Sequence, residues 1–329
     1  MQEDLVLAED LVLAKDLVLA KDLMRLPRLP FSYQNHVLNY NSIQAFALAS
    51  KAQNDANNQL RENIIGAILN KQVPGLYYID GDHWQLLKAA VFAYVQSIHP
   101  NPYRTLKCIH QGGRKKHHDF DFVFTYADRP SETLKIELKF NATSIKKAPQ
   151  YVSPAKPSIY LSASYEEYYY THYLPRLAAQ AGLPLPTKEE YLKTINSDEP
   201  ACMTPYKELY RQGCKKHPQF TNAPAAVEFY KNCQIWGKES IKKFLETTTL
   251  DIQKLSDYLR ETQKNKIYML YADGHFLAQH APMDDYVIES VLKHTHNRYE
   301  CSTKSGIVMK VLLRWKNYMG VAFPAFQIS

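Results

Sequence analysis

No apolar run in this 329-residue chain approaches the length of a membrane span. Its first residues carry an acid every few positions, unlike a secretory leader, so an intracellular, non-secreted protein is expected. Cysteines are few, odd in number and scattered, at 108, 202, 214, 233 and 301. That argues against a disulfide framework and for reduced thiols. There is no Gly-rich phosphate cradle, no Gly-x-Ser-x-Gly and no dinucleotide fingerprint, so ATP- or NAD-driven chemistry and serine hydrolysis have no footing. Cys214-Lys-Lys-His217, with Cys202 and Cys233 nearby, fits no common zinc template closely.

What is present is a globular balance, 45% hydrophobic and 22% charged. The formal net charge of +7, from 40 basic against 33 acidic residues, permits an anionic partner such as nucleic acid without requiring one. Tyrosine is abundant, at 24 residues. The run Tyr165–Tyr173 reads as an amphipathic helix with tyrosines on both its buried and wet faces, rather than as a surface on which bases stack.

The chain opens on a hexapeptide repeat over residues 3–26, EDLVLA, EDLVLA, KDLVLA, KDLMRL. Its period matches neither a straight helix nor a heptad. An appended helix is expected there, with the proline-containing segment 25–30 as a linker. Apolar spacing predicts helices over 42–70 and 83–98, and strands over 106–110, 120–126 and 134–140. Residues 150–235 show short helical patterns and no clear strand. A long amphipathic helix is predicted over 238–263, strands over 266–271 and 275–280, a helical stretch over 286–292, and strands over 306–315 and 321–328. The expected class is mixed α/β.

The chemistry-bearing segment is Gly113-Arg-Lys-Lys-His-His-Asp-Phe-Asp-Phe122, followed by Leu134-Lys-Ile-Glu-Leu-Lys-Phe140. Side chains two apart share a face of a strand. Asp119 and Asp121 therefore oppose Phe120, Phe122 and Phe124, while Glu137 and Lys139 oppose Ile136, Leu138 and Phe140. Paired as a hairpin, the two segments would gather carboxylates beside one ammonium. Such a cluster is costly until something neutralises it. Mg²⁺, with Mn²⁺ as a substitute, binds through one or two carboxylates and a substrate phosphate, the arrangement that phosphodiester hydrolysis needs. Asp121 is expected to stand nearer the metal than Asp119. Arg114, Lys115, Lys116, His117 and His118, and more weakly Lys146 and Lys147, would clamp the phosphate backbone.

These residues resemble the PD-(D/E)xK nuclease superfamily, which includes restriction enzymes, phage exonucleases and junction resolvases. Glu137-Leu138-Lys139 matches the (Asp/Glu)-x-Lys element in full. Asp121 matches the preceding acid, although no proline stands before it and Asp119 competes for the place. Glu62 matches the glutamate of the supporting helix, and Gln150 falls in the polar stretch that often follows the motif, where it is expected to contact DNA. The resemblance implies catalytic Asp121, Glu137, Lys139 and Glu62. It also implies a metal held by Asp121, Glu137, the Leu138 carbonyl and Asp119.

It further implies a restriction-endonuclease-like core, a mixed central sheet flanked by helices, interrupted by a mainly helical insertion and followed by a strand-rich tail. The expected divisions are an extension over 1–30, core over 31–151, insertion for target recognition over 152–237, core again over 238–280, and tail over 281–329. The expected function is a Mg²⁺-dependent, sequence-specific endonuclease acting on double-stranded DNA, restriction-like or homing-like, with a homodimer for double cutting. A repair or replication nuclease of the same fold and a non-catalytic DNA-binding protein that kept the fold are the alternatives.

Overall fold

In a computed structural model of the protein, residues 27–79, 82–111, 117–147, 157–195, 201–316 and 323–328 are described. The hexapeptide repeat, Arg114, Lys115, Lys116 and Gln150 lie outside them. Among the described residues no helix is long and apolar enough to cross a membrane. The five cysteines form no disulfide. The chain divides into two compact units, one of Met1–Ala148 with Asn265–His280, the other of Pro149–Lys264 with Ala281–Ser329. The predicted return segment over 238–280 is thus shared between the units, its helical part falling in the second.

The first unit begins with a hairpin not predicted from the sequence, β1 (Phe31–Tyr33) and β2 (His36–Leu38). Gln34 and Asn35 turn it with φ of 46° and 65°, the left-handed pair that matches strand twist. The helix predicted over 42–70 is interrupted: a 3-10 turn, Tyr40–Phe46, precedes α1 (Lys51–Ala56) and α2 (Asn58–Leu69). Ser50 starts α1 by accepting a bond from the Gln53 amide. Helix α3 (Asp82–Ile98) buries Trp84, Leu87, Val91, Tyr94 and Val95, one face at helical spacing.

Five strands form its sheet: β3 (Thr105–His110), β4 (Phe120–Thr125), β5 (Glu132–Phe140), β6 (Lys266–Ala272) and β7 (His275–His280), in the order β3-β4-β5-β6-β7. Neighbours run antiparallel except β5 and β6, which are parallel, so the sheet is mixed. Helix α2 packs on β3 and α3 on β7. One face supplies Cys108, Phe120, Phe122, Phe124, Ile136, Ile267, Met269 and Phe276 to a core shared with both helices. Burying each such phenylalanine stabilises the fold by about 1.5–3 kcal/mol. Gly66 of α2 lies so close to the Tyr33 hydroxyl and His110 ring that any Cβ would collide with both.

In the second unit, short helices α4 (Tyr165–His172), α5 (Leu174–Ala181), α6 (Lys188–Thr194) and α7 (Thr204–Gly213) precede α8 (Pro224–Thr247) and α9 (Ile252–Gln263). Tyr165, Tyr169 and Tyr173 are buried, with the Tyr165 hydroxyl 2.7 Å from Ser240 Oγ. The single helix predicted over 238–263 is two. Thr247, Thr248 and Thr249 are β-branched and interrupt it, and Asp251 caps the restart by accepting from the Lys254 amide at 3.0 Å.

The predicted helix over 286–292 is also corrected. A 3-10 turn, Met283–Tyr286, leads into strand β8 (Ile288–Thr295), which pairs with β9 (Arg298–Thr303), itself unpredicted. Ile288, Val291 and Leu292 have helical spacing, but β-branched Val287, Ile288, Val291 and Thr295 favour the pleat. With β10 (Val308–Lys316) and β11 (Phe323–Ile328) these make a wholly antiparallel sheet, in the order β11-β10-β9-β8.

Candidate active site

The hairpin register decides which acid meets which. Strands β4 and β5 pair Phe120 with Ile136 and Asp121 with Lys135. One step further, the Asp119 amide donates to the Ile136 carbonyl at 2.9 Å, which brings Asp119 abreast of Glu137. The Asp119 carboxylate accepts the Leu138 amide at 2.7 Å. Lys139 Nζ stands 2.6 Å from Glu137 Oε1, and Lys266 Nζ 3.2 Å from Oε2. Both oxygens of Glu137 are thus taken by ammonium groups.

Asp121 has other company. Its Oδ1 lies 2.7 Å from His118 Nε2, and its Oδ2 accepts from the Gln111 side-chain amide. Asp121 shares the sheet face with Glu137 but stands one row away, opposite Lys135. The acid that accompanies Glu137 in this geometry is Asp119, two residues before the one expected to lead.

Glu62 comes to the cluster from the first turns of α2. Its neighbour Arg61 anchors that end of the helix, donating to the Ala45 carbonyl at 2.7 Å and the Asn54 carbonyl at 2.9 Å. The Arg61 guanidinium also lies 3.4 Å over the Phe140 ring, which ties the helix to the end of β5. Burial pushes the Glu62 carboxyl up to about 8, and the charges of Asp119 and Glu137 push it the same way. Asp119 is raised by burial and by Glu137. Burial would raise Glu137 too, but Lys139 and Lys266 outweigh it and hold Glu137 below the usual carboxylate range. Burial lowers Lys266, opposed by Glu137. The site is an excess of acid held together by two lysines, with Glu62 and Asp119 favouring their protonated forms.

Among the described residues no three His, Cys, Asp or Glu side chains are placed to hold a metal ion together. No family model, curated protein or solved structure matches the chain. The reading of the site therefore rests on its own geometry.

His117 lies close enough to Lys266 and Glu137 for their charges to act on it; burial and Lys266 lower its pKa. Lys146 is exposed, in a short turn after β5. Arg114, Lys115, Lys116 and Gln150 fall outside the described residues, and Lys147 is described in its backbone alone. Two neighbours of the site, Gln111 and Lys266, were not singled out from the sequence, and His118, expected in the phosphate clamp, stands beside Asp121. The signal for Lys266 was there, since a lysine opening a strand that continues Ile-Tyr-Met-Leu is anomalous. Spacing could not show that its ammonium would meet Glu137.

Proposed function

We propose that the unit formed by Met1–Ala148 and Asn265–His280 is the catalytic body of a metal-dependent deoxyribonuclease. The observation that carries this reading is the gathering of Asp119, Glu137 and Lys139 on one sheet face, with Glu62 of α2 near enough for its charge to act on them. A glutamate-bearing helix, an acid at the start of one strand and Glu-x-Lys on the next is the order of the PD-(D/E)xK pattern. The antiparallel run β3-β4-β5 followed by the parallel β6 accords with a restriction-endonuclease-like core.

The donor set suits a hard cation, because carboxylate oxygens are the ligands Mg²⁺ and Mn²⁺ prefer and the acids here outnumber the ammonium groups. Asp119 and Glu137, with the Leu138 carbonyl that the resemblance adds, would hold it. When bound, it would activate water and offset the charge that develops on the phosphodiester. Lys139 contributes a compact donor for the attacking water or a phosphate oxygen. Glu62 shapes the charge of the pocket from behind. His117 and Lys146, with the basic run 114–116, supply cations for the strand on either side.

Double-stranded DNA is the substrate this reading favours, cut at chosen sequences, with a homodimer delivering paired cuts. The deciding experiment incubates supercoiled plasmid and randomised linear duplex with the protein in Mg²⁺, Mn²⁺, Ca²⁺ or EDTA, alongside an RNA duplex, and sequences the ends. Cutting in Mg²⁺ and Mn²⁺ is expected, binding alone in Ca²⁺, and neither cutting nor nicking in EDTA. Full cutting in excess EDTA removes the metal mechanism. Binding without cutting under every condition leaves a DNA-binding protein that kept the fold.

A further inference from the structure

Glu137 has two ammonium partners, and the proposed reaction has work for only one of them. Lys139, 19% exposed, holds Oε1; Lys266, 5% exposed, holds Oε2. If Lys139 turns towards a phosphodiester, a buried carboxylate loses a counter-charge, which is strongly unfavourable when nothing replaces it. Lys266 cannot make the same excursion. It opens β6, paired opposite Lys135 in the parallel ladder, and its stem is sealed inside the unit. A lysine this buried needs a partner, and Glu137 is the carboxylate in salt-bridge contact with it.

We infer that Lys266 is the standing counter-ion of Glu137: it keeps Oε2 throughout, fixes the plane of the carboxylate and so frees Lys139 for the substrate. Lys266 is a positioning residue, acting through Glu137 and making no contact with DNA. The inference rests on the nuclease reading for its consequence and on the ion-pair geometry for its cause, and the two are tested apart.

Thermal unfolding in EDTA is measured for the parent, Lys266→Met, Glu137→Gln and the double variant. Glu137→Gln leaves the buried Lys266 without its carboxylate, Lys266→Met leaves Glu137 with Lys139 alone, and each lowers Tm; the double variant regains much of the loss, because both charges of the pair are gone. Single-turnover cleavage in Mg²⁺ is then followed for the parent, Lys266→Met, Lys139→Ala and their combination, with duplex affinity in Ca²⁺. Lys266→Met is expected to cut at least about tenfold slower with affinity held within about threefold, a loss confined to the reaction step. Added to Lys139→Ala it costs nothing more, whereas a general packing defect would deepen the loss. Should Lys266→Met fail to fold, a folded double variant with Glu137→Gln still demonstrates the pairing. Additive Tm losses, or a Lys266→Met variant that cuts within about twofold of the parent, overturn the inference while the nuclease reading stands. A parent inert on every duplex in Mg²⁺ and Mn²⁺ overturns the nuclease reading, and with it the catalytic role given to Lys266.

Discussion

The two faces of the β4–β5 hairpin are built by the same alternation and do opposite things. On one, Phe120, Phe122, Phe124 and Ile136 are fully buried in an apolar core. On the other, Asp119, Glu137 and Lys139 stand together, Glu137 ion-paired and Asp119 pushed towards its protonated form. The apolar face contributes stability. The charged side costs stability, since burial and neighbouring carboxylates push Glu62 and Asp119 well above their ordinary range. A fold that keeps such an expense on one face must repay it from the other, and this is the difference expected between a site that does chemistry and a surface that only dissolves.

That comparison can be broken from either side. Phe122→Ala, on the apolar face, should destabilise the unit by about 3–5 kcal/mol, enough to unfold a marginal domain; chemical denaturation of the parent and variant reads it directly. On the charged face, Glu137→Ala and Asp119→Ala should each remove cleavage while duplex affinity in Ca²⁺ survives. Asp121→Ala should lose less than Asp119→Ala, the reverse of what spacing alone suggested. Equal single-turnover rates for Asp119→Ala and the parent would mean that the hairpin register does not choose the acid. Lys139→Arg should slow cleavage at least roughly a hundredfold, because a planar guanidinium cannot replace a compact donor. A variant that cuts within a few-fold of the parent would reduce Lys139 to a surface charge pair.

The smaller effects concern protons and appendages. Glu62 titrates near 8 in the folded protein, far above its unfolded value of about 4.5. Between those two pH values the folded state holds a proton that the unfolded state has released, so this group's contribution favours folding at low pH and is lost as pH rises towards 8. The Tm of metal-free protein should therefore fall from pH 5 to 8 more steeply in the parent than in Glu62→Gln. Parallel slopes would dissociate Glu62 from the cluster. Deleting residues 1–26 should change cleavage least of all, since no proposed site residue lies there. A folded deletion variant that no longer cuts would make the repeat part of the machinery.

Much of the hairpin was legible because period-two alternation is unambiguous when three phenylalanines carry it. Glu137-x-Lys139 was legible for the same reason. The choice between Asp119 and Asp121 was not. Both lie on one face, and only the pairing of Phe120 with Ile136 selects between them. Strand β8 was hidden because Ile288, Val291 and Leu292 mimic one face of a helix, and pairing with β9 overrides that spacing. The placement of α9 was not legible for a different reason. Helix α9 adjoins β6 in sequence yet belongs to the other compact unit, and composition does not change at the boundary. Lys266 showed only as an anomalous lysine at the start of an apolar strand; its role was hidden because its partner is 129 positions away.

That separation also bears on how the protein is made. The β3-β4-β5 meander closes through local turns, whereas pairing β5 with β6 must first shut a loop holding most of the second unit. Closing long loops is slow because the entropy is lost before any contact repays it. On a ribosome, the strand that starts with Lys266 emerges 129 residues after Glu137. The nascent chain therefore passes through a stage with its acids gathered, one ammonium missing and β5 exposed as an edge. The charge balance around Glu137 is completed only when β6 pairs with β5 and brings Lys266 to it.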